Sequence, residues 1–339
     1  MVRLAPSEHY RFAQSCPGSM DLTFGGAESS VAASISILGG SSRFVSALPQ
    51  HAIADAFVRQ MRGFKVDVDH VLRREAGRFG IYYVETGANQ RPSRVIYDRD
   101  YSAVSICSGE EYDWDAIFVD AQWLHISGIT LAISETAAHA AILAAGKAQA
   151  AGVKVSCDLN FRKNLWRWRS GSDARSLARS VMPDFLENVN VIIGNEEDAA
   201  DVLDIHAGDT DVHSGSLEIA HYPDVARQIA QRFNNVDQVA ITLRESISAT
   251  HNNWGAMLFD VSSDTAVFAP MNGEQYEPFE IRNIVDRVGG GDSFAAGLIY
   301  AMTTKDFSTA QDQVDFAVAA SCLAHSVKGD FNFNSRSEV

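Results

Sequence analysis

The sequence predicts an α/β fold in which helices cover both faces of a mostly parallel sheet, with a small β-sheet lid outside it. Short apolar strands predicted near 122–127, 153–157, 189–193 and 238–243 alternate with helical stretches along the chain. This alternation is typical of parallel sheets, because parallel strands need crossover connections, and the crossover helices cover the sheet. Two further β-rich stretches, residues 10–24 and 78–101, interrupt the alternation and predict the lid.

The stretches between these strands complete the predicted element order. Three stretches have the pattern of helices: residues 134–151, which Gly152 follows, residues 172–186 and residues 221–233. Residues 255–269 predict a hairpin at the far end of the main sheet, and the polar residues 206–220 predict a surface loop. We find no repeat or proline-rich linker, so we expect a single domain over 1–339, with lid segments at about 4–24 and 78–103.

Composition excludes several classes of function. The 339-residue chain has a formal net charge of −15, and an acidic surface repels the phosphate backbone of nucleic acids. It contains no run of eighteen apolar residues, and residues 1–20 lack the apolar core of a secretory signal. No two of its four cysteines are closer than 50 residues, which excludes a CxxC metal motif and is typical of reduced thiols. We therefore expect a cytoplasmic protein with no nucleic-acid or membrane partner.

The strongest chemical signal is a run of glycines before a predicted helix, where Gly289, Gly290 and Gly291 directly precede Asp292. Glycine lets the backbone turn tightly and approach a ligand, and the free N–H groups of a helix start favour an anion. The run predicts a phosphate cradle, with Asp292 placed to deprotonate an attacking hydroxyl. The alternative is a glycine-rich turn in which Asp292 only caps the helix.

Polar residues also follow two predicted strands. Asn195 and Asp198 come after the strand at 189–193, and Arg162 comes after the strand at 153–157. Ligands of open α/β sheets bind beyond the carboxyl ends of the strands. The acidic residues there are suited to Mg²⁺ held through water, or they are the acidic start of a helix, which the helix dipole favours in any case.

The lid hairpin places polar and aromatic side chains together. In a strand over 94–99, period-two geometry puts Tyr97 and Arg99 on one face. The two can therefore act together, and a guanidinium binds a carboxylate bidentately. The alternative is a solvated arginine on the surface. Near the start of the chain, Gly25 and Gly26 precede a helical pattern and allow close approach of a ligand, or simply form a tight turn.

Together these motifs resemble the ribokinase family of carbohydrate kinases, and within it the 2-keto-3-deoxygluconate kinase branch. The resemblance runs from Gly25-Gly26-Ala27-Glu28 to Lys328-Gly-Asp330 and is most specific at Asp286–Asp292, followed by Ser-Phe-Ala-Ala-Gly. It implies a doubly wound, ribokinase-like sheet with a β lid. It also implies an enzyme that uses ATP and Mg²⁺ to phosphorylate 2-keto-3-deoxygluconate at its terminal C6 hydroxyl, and a homo-oligomer assembled through the lid.

The resemblance also implies roles for individual residues. Asp292 is expected to be the catalytic base, and Gly289, Gly290 and Gly291 the anion hole. Substrate contacts are expected at Gly26, Tyr82, Tyr97, Arg99, Arg162 and Asp330. Nucleotide contacts are expected at Asn195, Thr242, Arg244 and Ser246, and Mg²⁺ contacts, through water, at Asn195 and Asp198.

The sequence departs from the family pattern in three places. Asp198 stands where the family has a glutamate, so direct contacts there are expected to become water-bridged. Arg287 and Gly290 depart from the general family motif and are more similar to the deoxygluconate branch. Relatives place an apolar strand and a Gly-Glu pair before the position of Met1, so we expect either further residues upstream or a main sheet without that strand.

Two alternative functions follow from these observations. One is a kinase for a neutral ketose such as fructose, against which Arg99 and Arg162 argue. The other is a sugar- or nucleotide-binding relative that has lost catalysis, which applies if the first strand is truly absent.

Overall fold

The structure is a computed structural model that describes residues 1–195, 197–206 and 219–339. Most of the surface loop predicted at 206–220 lies outside the described residues. Short 3₁₀ turns occupy Ala103–Ile106, Gly109–Glu111 and Ile219–His221. The strands are β1 (Val2–Ala5), β2 (Asp21–Phe24), β3 (Ser46–Pro49), β4 (Val71–Arg74), β5 (Ile81–Glu85), β6 (Arg94–Asp98), β7 (Trp123–Ser127), β8 (Lys154–Asp158), β9 (Val191–Asn195), β10 (Gln238–Ser248), β11 (His251–Asp260), β12 (Thr265–Ala269), β13 (Met271–Asn272), β14 (Gln275–Tyr276) and β15 (Phe279–Arg282). The helices are α1 (Phe12–Ser15), α2 (Ala27–Ile37), α3 (Ala52–Gly63), α4 (Trp114–Ile117), α5 (Gly128–Ala132), α6 (Glu135–Ala150), α7 (Ala174–Leu186), α8 (Asp198–Leu203), α9 (Tyr222–Arg232), α10 (Gly290–Thr303) and α11 (Ala310–Ala324).

The main sheet has the order β12-β11-β10-β9-β8-β7, and β15 also pairs with β11. Strands β7 to β10 are mutually parallel, whereas β10, β11 and β12 are antiparallel. The four predicted parallel strands, the predicted helices that became α6, α7 and α9, and the hairpin of β11 and β12 are confirmed. Strand β10 extends to Ser248, beyond the predicted end near residue 243, because it continues to pair with the long strand β11.

Helices cover both faces of this sheet, as consecutive residues of β9 show. Val191 and Ile193 pack in one core with Phe294 of α10, whereas Ile192 packs in a second core with Phe185 of α7. Side chains alternate between the faces of a strand, so the unbroken apolar run is buried on both sides. The carboxyl end of the sheet is thereby held between two rigid helical layers.

A separate four-stranded sheet has the order β2-β1-β5-β6. The hairpin predicted at 78–101 is confirmed as β5 and β6, which pair antiparallel. The strand pattern predicted over residues 10–24 is only partly right, because Phe12–Ser15 forms the short helix α1 and the strand begins at Asp21. Pro17 and Gly18 lie between them, and proline and glycine interrupt strands. That this small sheet acts as a lid stays a prediction.

The register of the small sheet separates its two faces. Arg3, Tyr82 and Tyr97 stand side by side in one row across β1, β5 and β6. Arg3 and Tyr82 are 2% and 4% exposed, so this row faces the rest of the protein. In the neighbouring row, Leu22 and Ile96 are 49% and 42% exposed, so the opposite face carries apolar side chains toward solvent.

The residues after Met1 form β1 in the small sheet and leave β7 as the edge strand of the main sheet. In the described residues, therefore, the main sheet contains no strand that precedes β7 in the chain.

Candidate active site

The glycine run forms the start of α10. Gly289 precedes the helix with φ of +84°, a conformation that side chains disfavour, and a Cβ there would lie 2.4 Å from the carbonyl oxygen of Asp330. A Cβ at Gly291, in contrast, would meet no atom within 4 Å. The first N–H groups of a helix have no partner one turn earlier. The run therefore presents free N–H groups to open space, which fits the predicted phosphate cradle.

Asp292 lies in the first turn of α10 and is half-buried. Burial raises the pKa of its carboxyl to about 7, and the carboxylates of Asp330 and Glu28 act in the same direction. The guanidinium of Arg162 acts against them and favours the ionised form. A carboxylate that titrates near neutral pH is suited to accept a proton from an alcohol.

Arg162 is an exposed side chain in the loop that follows β8. Burial raises the pKa values of Asp292, Asp158 and Asp198. The positive charge of Arg162 acts in the opposite direction on all three carboxyl groups. Among the described residues the guanidinium makes one hydrogen bond, 3.3 Å to the carbonyl oxygen of Phe161. Arg162 is therefore a cation beside the proposed base with most of its donors available to an anionic ligand.

Asp330 is held by two neighbours, Tyr82 and Arg3, in a buried network. Its carboxylate accepts hydrogen bonds from the hydroxyl of Tyr82 (2.5 Å) and from Nη1 of Arg3 (3.1 Å), and Arg3 also pairs with Asp286 (2.5 Å). A Cβ at Gly25 would overlap the Asp330 carboxylate, so the glycine permits this approach. Tyr82 and Asp330, both predicted as substrate contacts, thus lie together and bind each other in this structure.

Arg99 and Tyr97 differ in burial and in their neighbours. Arg99 is 8% exposed, and its charged neighbours are Glu28 and the amino group of Met1. Burial lowers the pKa of Arg99, and the carboxylate of Glu28 acts in the opposite direction. The Nε atom of Arg99 is buried and has no hydrogen-bond partner among the described residues. Tyr97 is half-buried and stands opposite Tyr82 in the small sheet. A joint role of Tyr97 and Arg99 toward a carboxylate stays a prediction.

Glu28 connects the Gly25-Gly26 turn to the main sheet. Gly26 precedes α2 with φ of +139°, and Glu28 follows in the first helical turn. Its carboxylate accepts hydrogen bonds from Ser127 N (3.0 Å), Ser127 Oγ (2.8 Å) and Thr130 Oγ1 (2.7 Å). Burial raises the pKa of Glu28, but these hydrogen bonds outweigh it and the net pKa is lowered. Glu28 belongs to the Gly25-Gly26-Ala27-Glu28 motif, but this role of its side chain was not predicted from the sequence.

Asn195 and Asp198 bind each other at the end of β9. Oδ1 of Asn195 accepts from the N–H of Asp198 (3.0 Å), and the Asp198 carboxylate accepts from the N–H groups of Asn195 (3.0 Å) and Phe161 (3.0 Å). Asp198 therefore holds the loop of Arg162 against β9. Among the described residues, no cluster of three or more acidic, His or Cys side chains is arranged to hold a metal ion. This donor set fits a Mg²⁺ ion that keeps its waters and binds ATP phosphates, rather than a protein cage.

The three residues predicted to start the nucleotide site share one face of β10, since they are two apart. Thr242 is buried, with Oγ1 3.4 Å from the carbonyl oxygen of Gly194, while Arg244 and Ser246 are exposed. No role was predicted for Arg287, whose Nη2 donates to Oδ1 of Asn252 (2.6 Å). Burial lowers the pKa of Arg287, and the charge of Arg244 lowers it further, so two cations lie close together beside the glycine run.

None of the helices in the described ranges combines the length and apolarity that a bilayer span requires.

Comparisons with known proteins give the family of this chain. The family model described as pfkB family carbohydrate kinase matches residues 12–335. A 2-dehydro-3-deoxygalactonokinase of Haloferax volcanii is 30% identical, over 100% of this chain and 92% of its own length. The crystal structure of 2-dehydro-3-deoxygluconokinase from Thermotoga maritima is 40% identical with a TM-score of 0.88, over 100% of this chain and 95% of that one. A fructokinase of Salmonella typhimurium is 24% identical, over 97% of this chain and 92% of its own length. This chain belongs to the pfkB family of carbohydrate kinases.

Proposed function

We propose that this pfkB family carbohydrate kinase phosphorylates 2-keto-3-deoxygluconate at its C6 hydroxyl, with ATP as the phosphate donor. The observation that carries the proposal is the exposed guanidinium of Arg162 beside Asp292, because it offers bidentate donors to a substrate carboxylate near the proposed base. The similarity to kinases named for two epimeric 2-dehydro-3-deoxy acids supports an acidic substrate.

The proposed roles follow from the contacts of the side chains. Asp292 accepts the proton of the attacking hydroxyl, and the N–H groups of Gly290 and Gly291 hold the transferred phosphoryl group in a site that orients it. Arg162 holds the substrate carboxylate. Gly26, Tyr82 and Tyr97 contact the sugar. Thr242, Arg244 and Ser246 contact the nucleotide. Mg²⁺, held through water near Asn195 and Asp198, neutralises phosphate charge when bound.

A coupled assay of ADP release tests the substrate. We expect kcat/KM for 2-keto-3-deoxygluconate to exceed that for fructose by roughly tenfold or more, because a charge-assisted hydrogen bond contributes about 1.5–3 kcal/mol. Including 2-keto-3-deoxygalactonate decides between the two epimers. A preference for fructose would support the neutral-ketose alternative. Binding of ATP without turnover of any of these sugars would support a relative that has lost catalysis.

We also propose that the protein forms a homo-oligomer through the outer face of the small sheet. The half-exposed Leu22 and Ile96 lie in one row of that face, and an apolar row across a sheet is suited to a partner copy. Light scattering of Ile96→Lys should show a smaller particle than the unmodified protein. Val119→Lys, at an exposed apolar residue outside the small sheet, serves as the control. An equal mass for all three proteins would contradict this proposal.

A further inference from the structure

Two arginines lie close together beside the glycine run. Arg287 comes two residues before Gly289, and Arg244 lies on strand β10. Burial and the charge of Arg244 both lower the pKa of Arg287, and among the described residues no carboxylate acts against them. Burial lowers the pKa of His325, and the charges of both arginines lower it further. Neighbouring cations repel each other, so an anion near both would relieve this repulsion.

The guanidinium of Arg287 uses a single nitrogen for its contacts with the protein. Nη2 donates to the carbonyl oxygen of Ser248 (3.1 Å) and to Oδ1 of Asn252 (2.6 Å). Nε is buried and has no hydrogen-bond partner among the described residues. Because the N–H donors of a guanidinium form a rigid fork, the two contacts of Nη2 fix its direction. The donors of Nε and Nη1 remain available to a ligand.

Two more buried donors on the same face of the main sheet lack partners. Asn252 and Trp254 are two residues apart on β11, so their side chains share a face, and they stand opposite Ser246 and Arg244 of β10. Nδ2 of Asn252 and Nε1 of Trp254 are buried and have no hydrogen-bond partner among the described residues. Buried polar groups in folded proteins almost always have a partner, so these donors indicate an acceptor that a ligand supplies.

His325 places the start of α10 over this face of the sheet. Its ring lies against that of Trp254, with the ring centroids 5.2 Å apart. A Cβ at Gly290 would lie 3.0 Å from Cε1 of the same imidazole. One imidazole therefore separates the glycine run from the floor formed by β10 and β11. The N–H groups of the run and the two arginines are thus close enough to bind one extended anion.

The two arginines are separated from the proposed base. The charges that act on Asp292 include Arg162 but neither Arg287 nor Arg244. Those that act on His325 include Arg287 and Arg244 but not Asp292. In phosphoryl transfer the attacking and leaving oxygens are roughly in line, on opposite sides of the phosphorus. A cation on the side away from the base therefore faces the phosphate that leaves, where negative charge develops.

We propose that Arg287 and Arg244 form a clamp in which both guanidiniums bind the β-phosphate that leaves with ADP. The clamp rests on the proposed use of ATP and adds Arg287 to the residues that contact the nucleotide. The amide of Asn252 and the indole of Trp254 form its floor. Because a guanidinium fork matches two phosphate oxygens, the clamp favours a nucleotide with two or more phosphates over a nucleoside monophosphate.

A structural tie is the competing role for Arg287. Nη2 does join the turn at Ser248 and the side chain of Asn252 to the glycine run. Such a tie accounts for Nη2 but leaves the donors of Nε and Nη1 unexplained. It also leaves Arg244 unexplained, because that side chain is exposed and its guanidinium has no hydrogen-bond or ion-pair partner among the described residues.

Isothermal titration calorimetry with ADP and with AMP compares the unmodified protein with Arg244→Met, Arg287→Met and Arg287→Lys. We expect each methionine variant to weaken ADP binding by roughly 10–100-fold, the effect of losing a charge-assisted hydrogen bond, and AMP binding by less than about threefold. Arg287→Lys keeps the charge but not the fork, so its ADP affinity should be intermediate. Arg282→Met is the control for loss of a charge and should bind ADP normally, because Arg282 is exposed and binds Glu280 (2.7 Å).

The outcomes separate the clamp from a structural role. Arg244→Met provides the test even if Arg287→Met does not fold, because the Arg244 side chain is exposed. Equal weakening of ADP and AMP binding would overturn the proposal, since the arginines would then only shape the site. Unchanged ADP binding in Arg244→Met and Arg287→Lys would also overturn it. If the unmodified protein bound neither ADP nor ATP, the proposed use of ATP would fail and the clamp with it, so the two failures are distinguishable.

Discussion

Arg3, near the start of the sequence, and Asp330, near its end, form a buried ion pair in which Nη1 and Oδ1 are 3.1 Å apart. The same guanidinium binds Asp286, which precedes the glycine run, at 2.5 Å. One cation from the small sheet therefore holds two carboxylates on either side of the phosphate cradle. This pairing explains how two acidic residues are kept buried near a third, Asp292.

Replacing Arg3 with methionine should destabilise the protein strongly. The change leaves Asp286 and Asp330 buried without their cation, and breaking a buried pair from one side typically costs about 3–5 kcal/mol. Urea unfolding measures the loss. The double variant Arg3→Met/Asp330→Asn should recover part of it, since one uncompensated charge is removed. A loss below about 1 kcal/mol for Arg3→Met would mean that the network contributes little to stability.

A side chain introduced at Gly289 should affect stability, whereas one introduced at Gly291 should affect turnover. Gly291→Val should leave Tm nearly unchanged, because its Cβ meets no atom within 4 Å, but should reduce kcat by filling the phosphate space. Gly289→Ala should lower Tm, because φ is +84° and the Cβ would approach the Asp330 carbonyl oxygen. Calorimetric unfolding and the ADP assay on both variants provide the comparison. Normal turnover by a folded Gly291→Val protein would contradict the anion-hole role.

Asp292→Asn should lower kcat by about two to four orders of magnitude while ATP still binds. The amide keeps the shape of the side chain but removes the basicity, and general-base catalysis typically contributes 10²–10⁴-fold. Isothermal calorimetry with ATP and the coupled assay on one preparation separate binding from catalysis. Retention of kcat would exclude Asp292 as the base. Loss of ATP binding would instead indicate a structural or metal-holding role.

The activity should rise with pH through neutrality, because the base must be ionised and burial raises the pKa of Asp292 to about 7. Arg162 lowers that pKa, so Arg162→Ala should move the acidic limb of kcat/KM to higher pH, while Arg162→Lys should keep most of the original profile. An acidic limb that does not move in Arg162→Ala would show that the two groups are uncoupled.

The same raised pKa predicts a pH-dependent stability. The folded protein binds the Asp292 proton more tightly than the unfolded chain does. Protonation of Asp292 therefore stabilises the folded state, and this contribution is fully present below the unfolded pKa of 3.8 and is lost as pH rises through about 7. Asp292→Asn should therefore unfold like the parent at pH 4 and gain of the order of 1–2 kcal/mol at pH 8. An equal difference at both pH values would contradict the raised pKa.

Arg162→Ala should raise KM for the sugar acid by roughly 10–100-fold, the effect of losing one charge-assisted hydrogen bond. Affinity for ATP and KM for a neutral ketose should change little. Arg167→Ala is the matched control, since Arg167 is also exposed and binds Asp100, at 2.7 Å. An equal loss on acid and ketose would mean that Arg162 positions the loop and does not bind the carboxylate.

Local patterns in the sequence were sufficient to predict the strands and the helix that surround the candidate site. The alternation of short apolar strands with helices predicted β7 to β10, and the glycine run before Asp292 predicted the start of α10. These features depend on spacing along the chain and on the conformational freedom of glycine, both of which a sequence displays directly. The family motif added roles to residues such as Arg162 that spacing alone left open.

Contacts between distant parts of the chain were decided only by the tertiary structure. Period-two spacing predicts Tyr97 and Arg99 on the same side of a strand, but β6 ends at Asp98, and packing of the small sheet buries Arg99 beside Glu28 and Met1. The ion pair of Arg3 with Asp330 joins residues 327 positions apart. No local pattern encodes such a pair, because it forms only when separate sheets and loops pack together.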